Sequence, residues 1–134
     1  MSVFVDTSGI LALINADDIN HKQADEIWKN LIEKEEELIS TNYVLLETIA
    51  VIQNRIGLTA VNSLYKYLIP ILKIMWVDVS VHNRAMTNLL IMNKKKISLV
   101  DCVSFEIMNL SGITEVFCFD KHFQEQGYTF IEMN

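Results

Sequence analysis

The chain has 134 residues, 51% of them hydrophobic and 21% charged, with one proline and four glycines. That length fits a single domain burying about two-thirds of its unfolded surface, and the composition argues against disorder or a flexible linker. A formal net charge of −6 argues against a protein that grips nucleic acid through a broad basic face, though not against a nuclease whose acids gather around a cation. Val3, Phe4 and Val5 are β-branched or aromatic and predict a short, fully buried strand. Asp6 then places a carboxylate at the strand's end. Thr7, Ser8 and Gly9 supply cap and turn chemistry before Ile10 to Ile14, predicting a helix from about Ser8 to Asn15. Strand, acid and helix in succession build the rim of a ligand crevice in an open α/β sheet. Taken alone, Asp6 reads equally well as a helix cap.

Asp17 and Asp18 follow as loop and cap residues. A second helix is expected from about Asn20 to Lys34, with Ala24, Ile27, Trp28, Leu31 and Ile32 on one face. His21 reads as an exposed first-turn residue, and Glu33, Glu35, Glu36 and Glu37 as a solvated face. Leu38 to Thr41 predicts the second strand, with Thr41 or Asn42 capping a third helix that ends at Gly57. Leu45, Ile49, Ile52 and Ile56 form its expected buried row. Glu47 stands three residues after Val44 and four before Val51, so it interrupts a second apolar row. An acid there is either half exposed or points into a polar pocket.

Leu58 to Leu72 predicts a fourth helix ended by Pro70, and Lys73 to Val77 a third strand. The apolar stretch Tyr67 to Val77 is broken by Pro70 and Lys73 and is too short to span a bilayer. The N-terminus lacks the basic start and long apolar run of a signal peptide, so a soluble, cytoplasmic protein is expected. Ser80 is the expected cap of a fifth helix reaching Met92 or Asn93, with Val81, Ala85, Leu89 and Met92 facing inward. Lys94-Lys95-Lys96 is the only basic run and reads as a solvated loop.

Ser98-Leu99-Val100-Asp101 opens a sixth helix with the capping pattern Ser-x-x-Asp, and Gly112 ends it. A first-turn acid such as Asp101 also complements the helix dipole. Val116 to Phe119 predicts a buried strand with Asp120 at its end, repeating the arrangement at Asp6. A helical turn, Lys121 to Gln126, then leads to a last strand from Tyr128 to Met133. Cys102 and Cys118 lack metal-ligand spacing and are expected as reduced, buried, small hydrophobes. Strands alternating with helices predict an α/β fold of three layers, α/β/α, around a parallel sheet of four to five strands.

Two strand-end aspartates, a helix-start aspartate and a mid-helix glutamate meet at one sheet edge in such a fold. Clustered carboxylates need a cation or protons to coexist. Oxygen ligands without neighbouring His or Cys suit Mg²⁺ or Mn²⁺, and the chemistry such an ion supports here is phosphodiester hydrolysis. With Val5-Asp6-Thr7-Ser8, Glu47, Ser98-Leu99-x-Asp101 and Phe119-Asp120-Lys121-His122-Phe123 in view, the chain resembles the PIN-domain ribonucleases and, within them, the short VapC-type toxins.

The resemblance covers essentially all of residues 1–134, as one nuclease domain. It implies that Asp6, Glu47, Asp101 and Asp120 form the catalytic, metal-binding site, that Thr7 or Ser8 supports the first acid, and that Ser98 caps the helix carrying the third. It implies an endonuclease cutting single-stranded or structured RNA, as a homodimer. It also implies a small antitoxin protein whose extended tail crosses the acidic cleft, placing an Arg against the carboxylates. Cys118 departs from the pattern, since many relatives carry a small hydroxyl residue two places before the last acid.

Three alternatives differ in class. A non-catalytic PIN-like scaffold binding RNA or protein has the intact four acids against it. A phosphoryl-transfer receiver domain is expected to carry a Lys on a later strand end, where this chain has Asp120 with Lys121 only beside it. A Mg²⁺ phosphatase with a nucleophilic Asp usually wants a second Asp two residues on, where Ser8 stands.

Overall fold

In the computed structural model, which describes residues 1–131, five strands form: β1 (Ser2–Val5), β2 (Glu37–Thr41), β3 (Lys73–Met75), β4 (Glu115–Phe117) and β5 (Thr129–Phe130). All pair in parallel, in the order β3-β2-β1-β4-β5. Val3, Phe4 and Val5 on the central strand are all buried, which requires cover on both faces of the sheet. That cover comes from α1 (Thr7–Ile14), α2 (His21–Glu33), α3 (Asn42–Arg55), α4 (Leu58–Ser63), α5 (Val79–Met92), α6 (Leu99–Ser111) and α7 (Lys121–Glu125). The result is the three-layer α/β/α arrangement.

The strand order sets the position of the functional edge. From β1 the chain first builds outward to β2 and β3, then returns to the other side of β1 for β4 and β5. The reversal leaves a crevice beyond the carboxyl ends of β1 and β4, the place where open α/β sheets bind their ligands. Two contacts hold that edge closed up. The Asp6 amide donates to Phe117 O at 3.2 Å, extending the β1–β4 pairing by one residue. Gly9 brings α1 so close to β4 that a Cβ there would lie 2.6 Å from Phe117 O and 2.7 Å from a Phe117 ring carbon.

Several local expectations are corrected. α5 is capped by Asp78, whose Oδ1 accepts from the Val81 amide at 2.9 Å, and not by Ser80, which instead accepts from Arg84 at 2.6 Å. The stretch read as one fourth helix is α4 followed by a π-helical turn, Leu64–Leu68, and a 3₁₀ turn, Ile69–Ile71, that accommodates Pro70. β3 stops at Met75, and the Val77 amide turns to Asn42 Oδ1 at 2.8 Å. β4 stops at Phe117, so Asp120 stands three residues past the strand as the N-cap of α7. The reach of the last strand to Met133 lies outside the described residues.

The buried stripe of α3 is Val44, Leu45, Thr48 and Ile52, while Ile56 and, on α2, Ile32 are exposed. His21 is half-buried, with Nδ1 2.7 Å from Ala12 O, and is no exposed first-turn residue. Glu33, Glu35 and Glu37 are exposed, and Glu36 is half-buried, 3.5 Å from the N-terminal ammonium.

Candidate active site

Asp6 ends β1 and caps α1. Its Oδ2 accepts from the Ser8 hydroxyl at 3.0 Å and from the Ser8 amide at 3.4 Å. Its Oδ1 is buried and, among the described residues, has no hydrogen-bond partner. A buried carboxylate oxygen without a donor is costly and calls for a proton or a cation. Burial, and after it the charge of Asp101, push the Asp6 carboxyl from 3.8 up to about 7, against the opposing Ser8 hydrogen bonds. A helix cap alone leaves none of this behind.

Ser8 does more than support Asp6. The same hydroxyl accepts from the Phe119 amide at 2.9 Å, so one side chain ties the end of β1 to the segment leading from β4 to Asp120. Thr7 is buried, and its Oγ1 accepts from Thr48 Oγ1 at 3.2 Å. Thr48 is the residue after Glu47, and it fastens α3 to α1 beside the site.

Asp101 occupies the third position of α6 within a reciprocal capping box. Its amide donates to Ser98 Oγ, and its Oδ2 accepts from the Ser98 amide, each at 3.1 Å. Burial raises the Asp101 carboxyl above its ordinary range, the Ser98 amide opposes the rise, and the charges of Asp120 and Glu47 add to it. Asp120 is half-buried, its Oδ1 accepting from the His122 amide at 3.0 Å. Glu47 is half-buried on α3 and, among the described residues, makes no hydrogen bond or ion pair.

The structure therefore brings Asp101 within electrostatic reach of Asp6, Asp120 and Glu47. It does not draw their side chains into a finished cage. Among the described residues, no three His, Cys, Asp or Glu side chains converge to enclose a metal ion. Mutual repulsion keeps such acids apart when nothing neutralises them. The donor set still fits a hard divalent cation: the acids supply only oxygens, one carboxylate oxygen is buried without a donor, and two carboxyls are pushed toward protonation.

One member of this neighbourhood escaped the reading from sequence, and another was noted there only as a departure from the family pattern. Thr48 fell outside the expected buried row of α3, although a small β-branched residue next to Glu47 was available as a signal. Cys118 is buried as expected, but it also faces the site. Burial raises its thiol strongly, and the charges of Asp6, Asp120 and Asp101 raise it further, so it stays a neutral thiol.

A switch-point crevice edged by acids on this fold defines a class, and the chain belongs to the PIN domain family, whose model matches residues 3–127. It is 31% identical over 127 residues to the 23S rRNA-specific endonuclease VapC20 of Mycobacterium tuberculosis, covering 94% of this chain and 95% of that protein. The crystal structure of VapC20, described as a Sarcin-Ricin loop cleaving toxin, matches at a TM-score of 0.87 and 30% identity, over 98% of this chain and all of that one. FitAcB from Neisseria gonorrhoeae shares the fold, with a TM-score of 0.70 at 12% identity over 97% of this chain and 96% of its own.

Proposed function

We propose that this chain is a metal-dependent endoribonuclease, the toxin of a toxin–antitoxin pair, hydrolysing RNA phosphodiester bonds at the carboxyl edge of its sheet. The observation that carries the chemistry is Asp6: a buried carboxylate with a donorless oxygen, set among Asp101, Asp120 and Glu47 at the switch point. The likeness to VapC20 supports RNA as the substrate class.

Asp6, Asp101, Asp120 and Glu47 would hold Mg²⁺ or Mn²⁺. When bound, such an ion offsets charge on a phosphate and makes water a stronger nucleophile. The chain's own part is positional. Ser8 fixes Asp6 and leaves its Oδ1 facing no protein donor, Ser98 fixes Asp101, and the Thr7–Thr48 contact holds α3 beside α1 so that Glu47 stays near the site. Glu47, tied by no hydrogen bond, keeps both oxygens for the ion or for a proton.

The partners follow from the same reading. A small antitoxin would inhibit by laying an extended tail across the acids, with an Arg competing for the carboxylates. A second copy of the chain would cover the exposed Leu46, Tyr65 and Trp76, which line one depression together with Asn42, Leu45 and Ile49. Among the described residues no helix is long and apolar enough to cross a membrane, and a cytoplasmic enzyme is the proposed setting.

The test is cleavage of a labelled RNA by purified protein. Activity with Mg²⁺ or Mn²⁺ should stop in EDTA. Glu47→Gln should keep the helix and the fold, since Gln matches Glu in shape and helix propensity, while cleavage falls by orders of magnitude. Cleavage undiminished in excess chelator overturns the metal mechanism, and a Gln variant as active as the parent removes Glu47 from the site.

A further inference from the structure

Lys94, Lys95 and Lys96 connect α5 to α6. We infer that this turn is the arm that grips the RNA backbone beside the acidic site, an inference that rests on the ribonuclease reading above.

The turn is built to display its lysines. Asn93 adopts the left-handed conformation, with φ of 50°, and closes α5 by donating its amide N–H to Leu89 O at 3.2 Å. The Ile97 amide then donates to Lys94 O at 3.2 Å, and the Ile97 side chain is only 4% exposed, plugging the turn into the core. Ser98 follows at once and locks into its capping box with Asp101. The lysine backbone is therefore pinned at both ends while all three side chains are exposed.

Those side chains are also uncommitted. Lys29 pairs with Asp25 at 2.9 Å and Arg84 with Glu106 at 2.6 Å, whereas none of the three turn lysines has an ion pair among the described residues. Their place in the chain puts them next to the capping box that carries Asp101. Ser98, whose amide is hydrogen-bonded to Asp101 Oδ2, is two residues past Lys96. Two Cα–Cα steps keep the Lys96 Cα within about 7.6 Å of the Ser98 Cα, so the turn lies beside the acidic edge.

Charge supplies the reason for such an arm. The chain carries a formal charge of −6 and presents four carboxylates to a polyanion. A divalent ion neutralises only the immediate site. Phosphates further along the strand still meet an acidic protein, and cations next to the site reverse the local field. Three adjacent ammoniums act as hydrated point charges that hold phosphates without reading bases. The arm therefore supplies affinity and orientation to RNA and leaves sequence choice to other contacts.

The experiment measures kcat and KM for a labelled RNA at fixed Mg²⁺ over about 50 to about 200 mM NaCl, the range in which phosphate contacts weaken. The parent is compared with K94Q/K95Q/K96Q and with K22Q/K29Q/K34Q, which removes the same charge from α2 and its C-cap. Each phosphate contact on a single strand contributes about 0.7 to the salt slope, so losing three should make the slope of log(kcat/KM) shallower by about 2. KM should rise about tenfold at the lowest salt while kcat at saturating RNA is unchanged, with little change in the α2 variant.

Parental KM and slope in the turn variant, with the parent cleaving normally, overturn the arm and leave the ribonuclease reading standing. Equal shifts in both variants also overturn it, because net charge alone then accounts for the effect. A parent that cleaves no RNA with either metal brings down both.

Discussion

At the scale of single residues the decisive group is Asp6. Its carboxyl is raised from 3.8 to about 7, so between those values the folded chain holds a proton that the unfolded chain has released. The contribution of this group to stability without metal is fully present below about pH 4, is lost as pH rises through 7, and levels off above it. At about 1.4 kcal/mol per unit the ceiling on this loss is about 4 kcal/mol. Asp101, raised in the same direction, deepens the fall. In EDTA the parent should therefore melt lower at pH 8 than at pH 5, and Mn²⁺ should restore most of the difference at pH 8 by mass action. Asp6→Asn keeps the cap, because Asn caps as well as Asp, but removes the charge. This variant should melt higher than the parent in EDTA at pH 8, by about 1 kcal/mol once water and counterions have screened the repulsion, gain little from Mn²⁺, and be inactive. Thermal melts at the two pH values, with and without Mn²⁺, decide it, and a parent that gains stability toward pH 8 in EDTA contradicts the assignment. The position of this residue between a strand and a helix was legible in the sequence, where taken alone it read equally well as a helix cap, and it does cap α1. Its missing donor was not, because whether Oδ1 finds a partner depends on side chains from distant elements. Thr48 was hidden for the same reason.

Among the elements, the least tolerant contact joins α1 to β4. Alanine is favoured over glycine inside a helix by about 1 kcal/mol, so Gly9→Ala stabilises α1 taken in isolation. A Cβ placed 2.6 Å from Phe117 O meets backbone that cannot rotate away, and this clash should dominate. The expected net result is a destabilisation of about 1 to 3 kcal/mol, as for other overpacked sites. Activity should fall further than stability alone requires, because spreading α1 from β4 pulls Ser8 away from the Phe119 amide and so separates Asp6 from Asp120. Urea unfolding beside a cleavage assay measures both, and an Ala variant as stable and active as the parent shows that the interface is looser than the contact implies. The elements legible in the sequence are those whose signals lie within the segment itself: the β-branched runs of β1 and β2, the caps that start α1 and α3, and the capping box of α6. The misread ends have both long-range and local causes. Past the end of β4 the Phe119 amide goes to a hydroxyl 111 residues earlier in the chain. The fourth helix breaks into π and 3₁₀ turns around Pro70, where local pattern offered only a stop. The start of α5 was read at Ser80, which also caps well, whereas the first-turn geometry gives the cap to Asp78.

For the whole molecule, strand order was the feature that sequence left open. Alternating strands and helices predict a parallel sheet, but not that β1 lies at its centre with β4 beside it. That order makes the ends of β1 and β4 neighbours and brings Asp6, Asp120 and Glu47 within electrostatic reach of Asp101. It also leaves β3 at an edge, and beyond its end Trp76 is 76% exposed, close to Leu46 at 72% and Tyr65 at 54% on one depression. Large apolar side chains gathered at one surface spot mark an interaction site more often than scattered ones do. A stable interface needs about 800 Å² from each partner, and this cluster would be the core of such a patch. We expect light scattering after size exclusion to give twice the chain mass for the parent, and the chain mass alone for Trp76→Glu combined with Leu46→Glu. Asp6, Glu47, Asp101 and Asp120 all come from one chain, so the variant should keep the parental rise in melting temperature with Mn²⁺. A parent that runs as a monomer removes the homodimer. A variant that turns monomeric and also loses the metal-induced rise shows instead that the second copy helps to shape the acidic site.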